Sequence, residues 1–156
     1  MATTITRRGL TRRSGLAWLG SLVLTPTALA APVAPALRLA REARPDIDPR
    51  GWLVSEKYDG ARALWDGEVL RFRSGLPVAA PAWFLARLPA TALDGELWAG
   101  RGGFERLCAT VRKARPVDSE WQALRYMVFD LPGAGGPFVQ RAARLQRTVQ
   151  AAAWAP

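Results

Sequence analysis

The chain has 156 residues, 49% of them hydrophobic, with 22 basic residues against 13 acidic ones and a net charge of +9. That suits one domain with a real core and argues against disorder, despite 12 prolines and 14 glycines. With no histidine and a single cysteine, Cys108, the composition excludes a serine–histidine–aspartate triad, histidine-bound zinc and an intramolecular disulfide. Acid–base work is left to lysine, carboxylates or tyrosine.

In chain order, the first element is an export segment. Arg7, Arg8, Arg12 and Arg13 form a basic start, an apolar run extends from Leu16 to Leu24, and Ala28-Leu29-Ala30 is a small-x-small cleavage site. The run is shorter than the roughly 20 residues that span a bilayer. Thr11-Arg12-Arg13-Ser14-Gly15-Leu16 resembles the twin-arginine variety. Residues 1–30 are therefore read as a signal peptide cleaved after Ala30, giving a periplasmic product with no stable membrane anchor. The remaining chain holds 18 basic and 13 acidic residues. That moderate excess is compatible with polyanion binding, and equally with a solvated arginine-rich surface.

Residues 31–50 read as a proline-rich linker with a short helix over Leu37 to Ala43, and folded structure is expected from Gly51. A strand is expected over Trp52 to Glu56 and another over Ala61 to Trp65. Asp66-Gly67 is a two-residue hairpin signal, with Val69 to Phe72 as the returning strand. Next come a short helix over Pro81 to Leu88, a strand over Thr91 to Trp98 and a helix from Phe104 to about Lys113. Leu124 to Asp130 reads as a buried strand and Pro132 to Pro137 as a loop. Val139, Ala142, Leu145, Gln146 and Val149 then fall at helical spacing. Mixed strands and helices with an antiparallel hairpin favour an α+β fold over a doubly wound parallel sheet.

The chain uses 20 arginines and only two lysines, Lys57 and Lys113. Lys57 stands in SEKYDGAR, residues 55–62. Guanidinium stays protonated, whereas an amine that is buried or set beside other cations can lose its proton and attack an electrophile. Gly60 permits a tight turn close to a ligand, Arg62 can bind phosphate or ribose oxygens in a fork, and Asp59 can orient the amine. The alternative is a surface lysine at a strand end before an ordinary Asp-Gly turn. In LDGELWAG, residues 93–100, Asp94 and Glu96 alternate along a strand and so share a face, where two carboxylates can bind a cation or sugar hydroxyls. In YMVFDLP, residues 126–132, Phe129 ends an apolar strand and is either core or a platform for a base.

These residues resemble a family. Lys57-Tyr58-Asp59-Gly60-Ala61-Arg62 fits KxDGxR of the covalent nucleotidyltransferases: DNA ligases, RNA ligases and capping enzymes. Asp94-Gly95-Glu96 looks like their third motif and YMVFD like the next. SEKYDGARALWDGEVLRFRSGLPVAAPAWF is similar to small bacterial ATP-dependent DNA ligases that carry secretion signals. Capping enzymes and RNA ligases share KxDGxR but do not fit the export signal.

The resemblance covers about residues 51–148 and implies an adenylation domain of antiparallel sheets with flanking helices, over 51–156. It implies that Lys57 attacks the α-phosphate of ATP and that Asp59 helps position it. Arg62 would contact ribose or phosphate, and Arg73 the nucleotide and nick phosphate. Glu96 would contact ribose and support Mg2+, Phe129 would stack on adenine, and Glu56 or Ser55 would read the adenine edge. Nicked double-stranded DNA is the implied partner and DNA repair, recombination or uptake the setting, with the protein a monomer. The chain has no counterpart of the family's second glutamate strand, its lysine pair or its small β-barrel (OB-fold). The expectation is thus a partial domain, with a separate C-terminal fragment as a candidate partner. A non-enzymatic reading stands beside it, a degenerate domain that at most binds nucleotide or DNA through Arg62 and Arg73.

Overall fold

The computed structural model describes residues 37–38 and 42–151. The chain divides after Ala30 into two units, and the described residues all belong to the second. The expected signal peptide and its cleavage site lie outside the described residues. The Leu37–Ala43 helix falls partly outside them, and its described residues are not helical. No described helix is long and apolar enough to cross a membrane.

The elements are β1 (Ala61–Trp65), β2 (Leu70–Phe72), α1 (Ala82–Leu85), β3 (Leu93–Trp98), α2 (Phe104–Val111), α3 (Asp118–Trp121), β4 (Arg125–Asp130) and α4 (Phe138–Ala151). The strands form one sheet in the order β2-β1-β3-β4, every neighbouring pair antiparallel. This mixed fold with a small antiparallel sheet is the α+β arrangement the element order favours.

Strand alternation divides the sheet into two faces. Ala63, Trp65, Leu93, Leu97 and Tyr126 lie on the core face and pack with Phe84, Leu107, Trp121 and Leu145 from the four helices. Trp121 is fully buried, its ring 4.9 Å from that of Phe84 in an edge-on contact. Tyr126 fastens the sheet from this side. A Cβ at Gly95 would lie 2.7 Å from the Tyr126 ring, so the glycine between Asp94 and Glu96 makes room for it. The Tyr126 hydroxyl reaches the carbonyls of Ala63 at 2.9 Å and Leu93 at 3.2 Å, on two neighbouring strands.

Two expectations need correction, and a third element forms as expected with its buried face now defined. Trp52 to Glu56 is not a strand. No described strand runs beside it to complete a ladder, and Trp52, Leu53 and Val54 are 66%, 61% and 81% exposed. The β1–β2 hairpin exists, but its turn is centred on Gly67-Glu68 rather than Asp66-Gly67. Asp66 precedes the turn, where its Oδ1 accepts the N–H groups of Glu68 and Val69 and Gly67 takes the left-handed φ of +108°. Finally, α4 forms, but Val139 and Gln146 are exposed while Arg141 and Leu145 are buried. Arg141 is drawn inward by Asp130, with its Nε 2.7 Å from Oδ1 and its Nη2 3.0 Å from Oδ2. Helix α3 has no expectation to match, because four residues are too few for a periodic pattern.

Candidate active site

The face opposite the core carries the charged residues. Sheet register aligns Arg62 with Glu96 and Glu96 with Met127 in one row across β1, β3 and β4. Asp94 precedes Glu96 by two residues and shares its face, as alternation predicts. Phe129 lies two residues beyond Met127 and shares its face by alternation, while a register shift between Asp94 and Gly95 sets Asp130 opposite Asp94.

Arg62 and Asp94 form a two-pronged ion pair, Nε to Oδ1 at 3.0 Å and Nη2 to Oδ2 at 2.6 Å. Asp94 is 5% exposed. Arg62 also donates to the carbonyl of Arg38 at 2.9 Å, and its guanidinium carbon lies 5.3 Å from the centre of the Phe129 ring. The fork that the sequence suggests for phosphate is thus engaged by Asp94, and one face of Phe129 is covered by a cation. The hydrogen bond to Asp94 raises the Arg62 pKa further.

Glu96 differs from Asp94. It is half-buried and makes no hydrogen bond to a described residue. Burial pushes its carboxyl above the ordinary glutamate value; the charges of Arg62 and Lys57 pull it back, and those of Asp94 and Asp59 add to the rise. Lys57 and Asp59 are exposed but within electrostatic reach of Glu96. Lys57 is therefore not buried, and its charge acts on Glu96 together with those of Arg62, Asp94 and Asp59.

The loop that carries Lys57 is held by its other residues. Tyr58 packs on Trp98 with ring centres 5.2 Å apart. Glu56 accepts from Arg101 at 2.9 and 3.1 Å, which lowers the Glu56 pKa. Gly60 is needed for close approach rather than for a turn, since a Cβ there would overlap the carbonyl oxygen of Leu97. Ser55 is exposed. Arg73 is exposed in the turn after β2, one residue past the last β1–β2 pair, Ala63 with Phe72. Lys57, Asp59, Arg62, Glu96 and Phe129 thus gather in one region, with Arg73 at its border and Glu56 turned to Arg101.

A cleft of about 650 Å³ wraps the outer edge of β4, from Tyr58 and Met127 on this face round to Trp83 and Trp121. Lys57, Arg62, Glu96 and Phe129 do not line it, so the charged face and the cleft are separate features. Among the described residues there is no group of three or more carboxylate, cysteine or histidine side chains suited to hold a metal. Glu96 with Asp59 nearby offers hard oxygen donors. That suits a magnesium ion that keeps water and takes phosphate oxygens, not one caged by protein.

Sequence reasoning missed Trp98 and Arg101 as partners of the lysine loop. Trp98 was legible, two residues beyond Glu96 on the same alternating strand; nothing local marks Arg101. A DNA ligase from Haemophilus influenzae (strain ATCC 51907 / DSM 11121 / KW20 / Rd) is 41% identical over 96 residues, 62% of this chain. The chain is similar to DNA ligases. A solved structure from a structure-function analysis of Lig E DNA ligases, described as DNA binding with a minimal scaffold, matches with a TM-score of 0.68 and 40% identity over 76% of this chain. The chain spans 35% of the Haemophilus ligase and 47% of the Lig E chain. No family model matches it. The ligase-like part thus includes the small antiparallel sheet on which the charged face is built.

Proposed function

We propose that this chain carries the nucleotide-activating site of an ATP-dependent DNA ligase, with Lys57 as the nucleophile. The observation that carries this reading is that Arg62, Glu96 and Phe129 share one sheet face, with the loop residues Lys57 and Asp59 in electrostatic reach of Glu96; the likeness to DNA ligases agrees with it.

In the first step the Lys57 amine, having given up its proton, attacks the α-phosphorus of ATP. A P–N bond forms, the bond to the β-phosphate oxygen breaks, and pyrophosphate leaves. Asp59 orients the amine. Glu96 binds ribose hydroxyls, and Phe129 stacks on adenine from the side away from Arg62. Arg62, aligned by Asp94, supplies fixed positive charge near the phosphates, and Arg73 faces the phosphate of the nick. Glu96 would hold a magnesium ion, which when bound would neutralise charge at the phosphates. The AMP then passes to the 5′-phosphate of the nick, freeing Lys57. The 3′-hydroxyl attacks that phosphate and expels AMP to leave a phosphodiester. With the export segment read over 1–30, the work is periplasmic and serves repair, recombination or uptake of DNA.

The test is a nicked duplex labelled at its 5′-phosphate, incubated with the chain, ATP and magnesium. Adenylated or sealed strand, absent with Lys57→Ala, supports the reading. Label left unchanged by folded protein already carrying AMP on Lys57 would restrict the function to nucleotide transfer without DNA joining.

A further inference from the structure

We infer that Trp98 and Arg101 are positioning residues that clamp the Lys57 loop from both sides and fix the amine relative to Glu96. This rests on the nucleotidyl-transfer reading above for its catalytic meaning, and on geometry alone for the clamp.

Residues 52–60 belong to no strand, and the segment from Trp52 to Lys57 is exposed throughout. A nucleophile on such a segment would sample many positions, whereas attack requires one. The two neighbours of Lys57 supply the constraint. Glu56 binds Arg101 through both carboxylate oxygens and Tyr58 packs on Trp98. Both anchors lie within 98–101, immediately after Glu96 on the same chain segment. Three residues after Lys57, Gly60 sits tight against the Leu97 carbonyl. The loop therefore touches the end of β3 at three points, while Lys57 and Asp59 are the residues whose charges reach Glu96.

The anchoring segment is itself firm. Gly100 and Gly102, at φ +89° and +69°, turn the chain on either side of Arg101. The Gly103 N–H donates to the Gly100 carbonyl at 3.0 Å, and Arg106 donates to the Ala99 carbonyl at 2.5 Å. These bonds join the segment that carries Trp98 and Arg101 to the start of α2.

The chain's two lysines make a direct test possible. A lysine-specific endoprotease can cut only after Lys57 and Lys113, so the second site, exposed in the loop after α2, is an internal reference for changes not confined to the Lys57 loop. In the full chain, Arg101→Ala is expected to speed cleavage after Lys57 about two- to threefold, as for an exposed ion pair. Trp98→Ala is expected to speed it up to about tenfold, as for an aromatic pair, with Trp98→Phe close to wild type. Cleavage after Lys113 stays unchanged. The charge-swapped pair Glu56→Arg with Arg101→Glu returns toward the wild-type rate, as a coupled pair should. In parallel, single-turnover transfer of AMP slows in Arg101→Ala and Trp98→Ala at saturating ATP, with half-saturation unmoved.

Unchanged cleavage after Lys57 in both alanine variants would overturn the clamp, as would equal acceleration at both lysines or failure of the swapped pair to recover. A wild-type chain that takes no AMP while the protease results hold would instead overturn the nucleotidyl-transfer reading and leave the clamp standing.

Discussion

At the scale of single residues, the charged face is settled by which carboxylate is neutralised. Asp94 is closed on Arg62, which leaves Glu96 as the half-buried acid facing Lys57. Burial makes folded Glu96 hold its proton more tightly than the unfolded chain does, so stability falls as pH rises through the folded pKa. Glu96→Gln should therefore raise the melting temperature near pH 7 and change it little near pH 3, below the ordinary glutamate value, where the wild-type carboxyl is largely protonated in both states. Melting curves of the two proteins at both pH values check this, and the same variant should lose AMP transfer. Gly95 is constrained from the opposite face. A Cβ would lie 2.7 Å from the Tyr126 ring and 2.8 Å from the Met127 carbonyl oxygen. Gly95→Ala should cost about 1–3 kcal/mol in denaturant unfolding, the usual range for forcing an extra carbon into a packed site.

At the scale of elements, the link between β4 and α4 is an ion pair at the edge of the core. The Arg141 side chain is 4% exposed and that of Asp130 14%. Burial alone would raise the Asp130 pKa, but Arg141 and the Leu131 N–H together hold it below the usual aspartate value. A depressed folded pKa contributes stability above the unfolded pKa and loses it as pH falls through the folded one. Arg141→Ala should thus lower the melting temperature clearly near pH 7, and much less once the Asp130 carboxyl is protonated.

This pair also shows where sequence reading stops. The helix was legible from its spacing, but its buried face was not, because the arginine is inward only by virtue of an aspartate in another element. The strands β1, β3 and β4 were legible from apolar runs and alternation, and so was the shared face of Asp94 and Glu96. The segment 52–56 misleads for the opposite reason. Its apolar residues resemble a strand, yet strand structure depends on a neighbour, and no described strand runs beside it. Arg101 was invisible because its partner Glu56 lies 45 positions away, with no local pattern joining them.

At the scale of the molecule, the described helices pack on one face of a small sheet, and the charged residues lie on the other. The same division separates the cleft from the charged residues: the cleft runs along the outer edge of β4, whereas Arg62 and Glu96 stand opposite each other on β1 and β3, with the charge of Lys57 in reach. The likeness to DNA ligases extends through this sheet and over a third to a half of the relatives' length. Everything proposed for this face depends on one of two lysines being a nucleophile. Intact mass of the chain after incubation with ATP and magnesium, with location of any adduct, decides that. One added AMP is expected in the peptide containing Lys57, with none on Lys113 and none in Lys57→Ala. A folded chain that gains no AMP, or an adduct that survives Lys57→Ala, would refute the assignment.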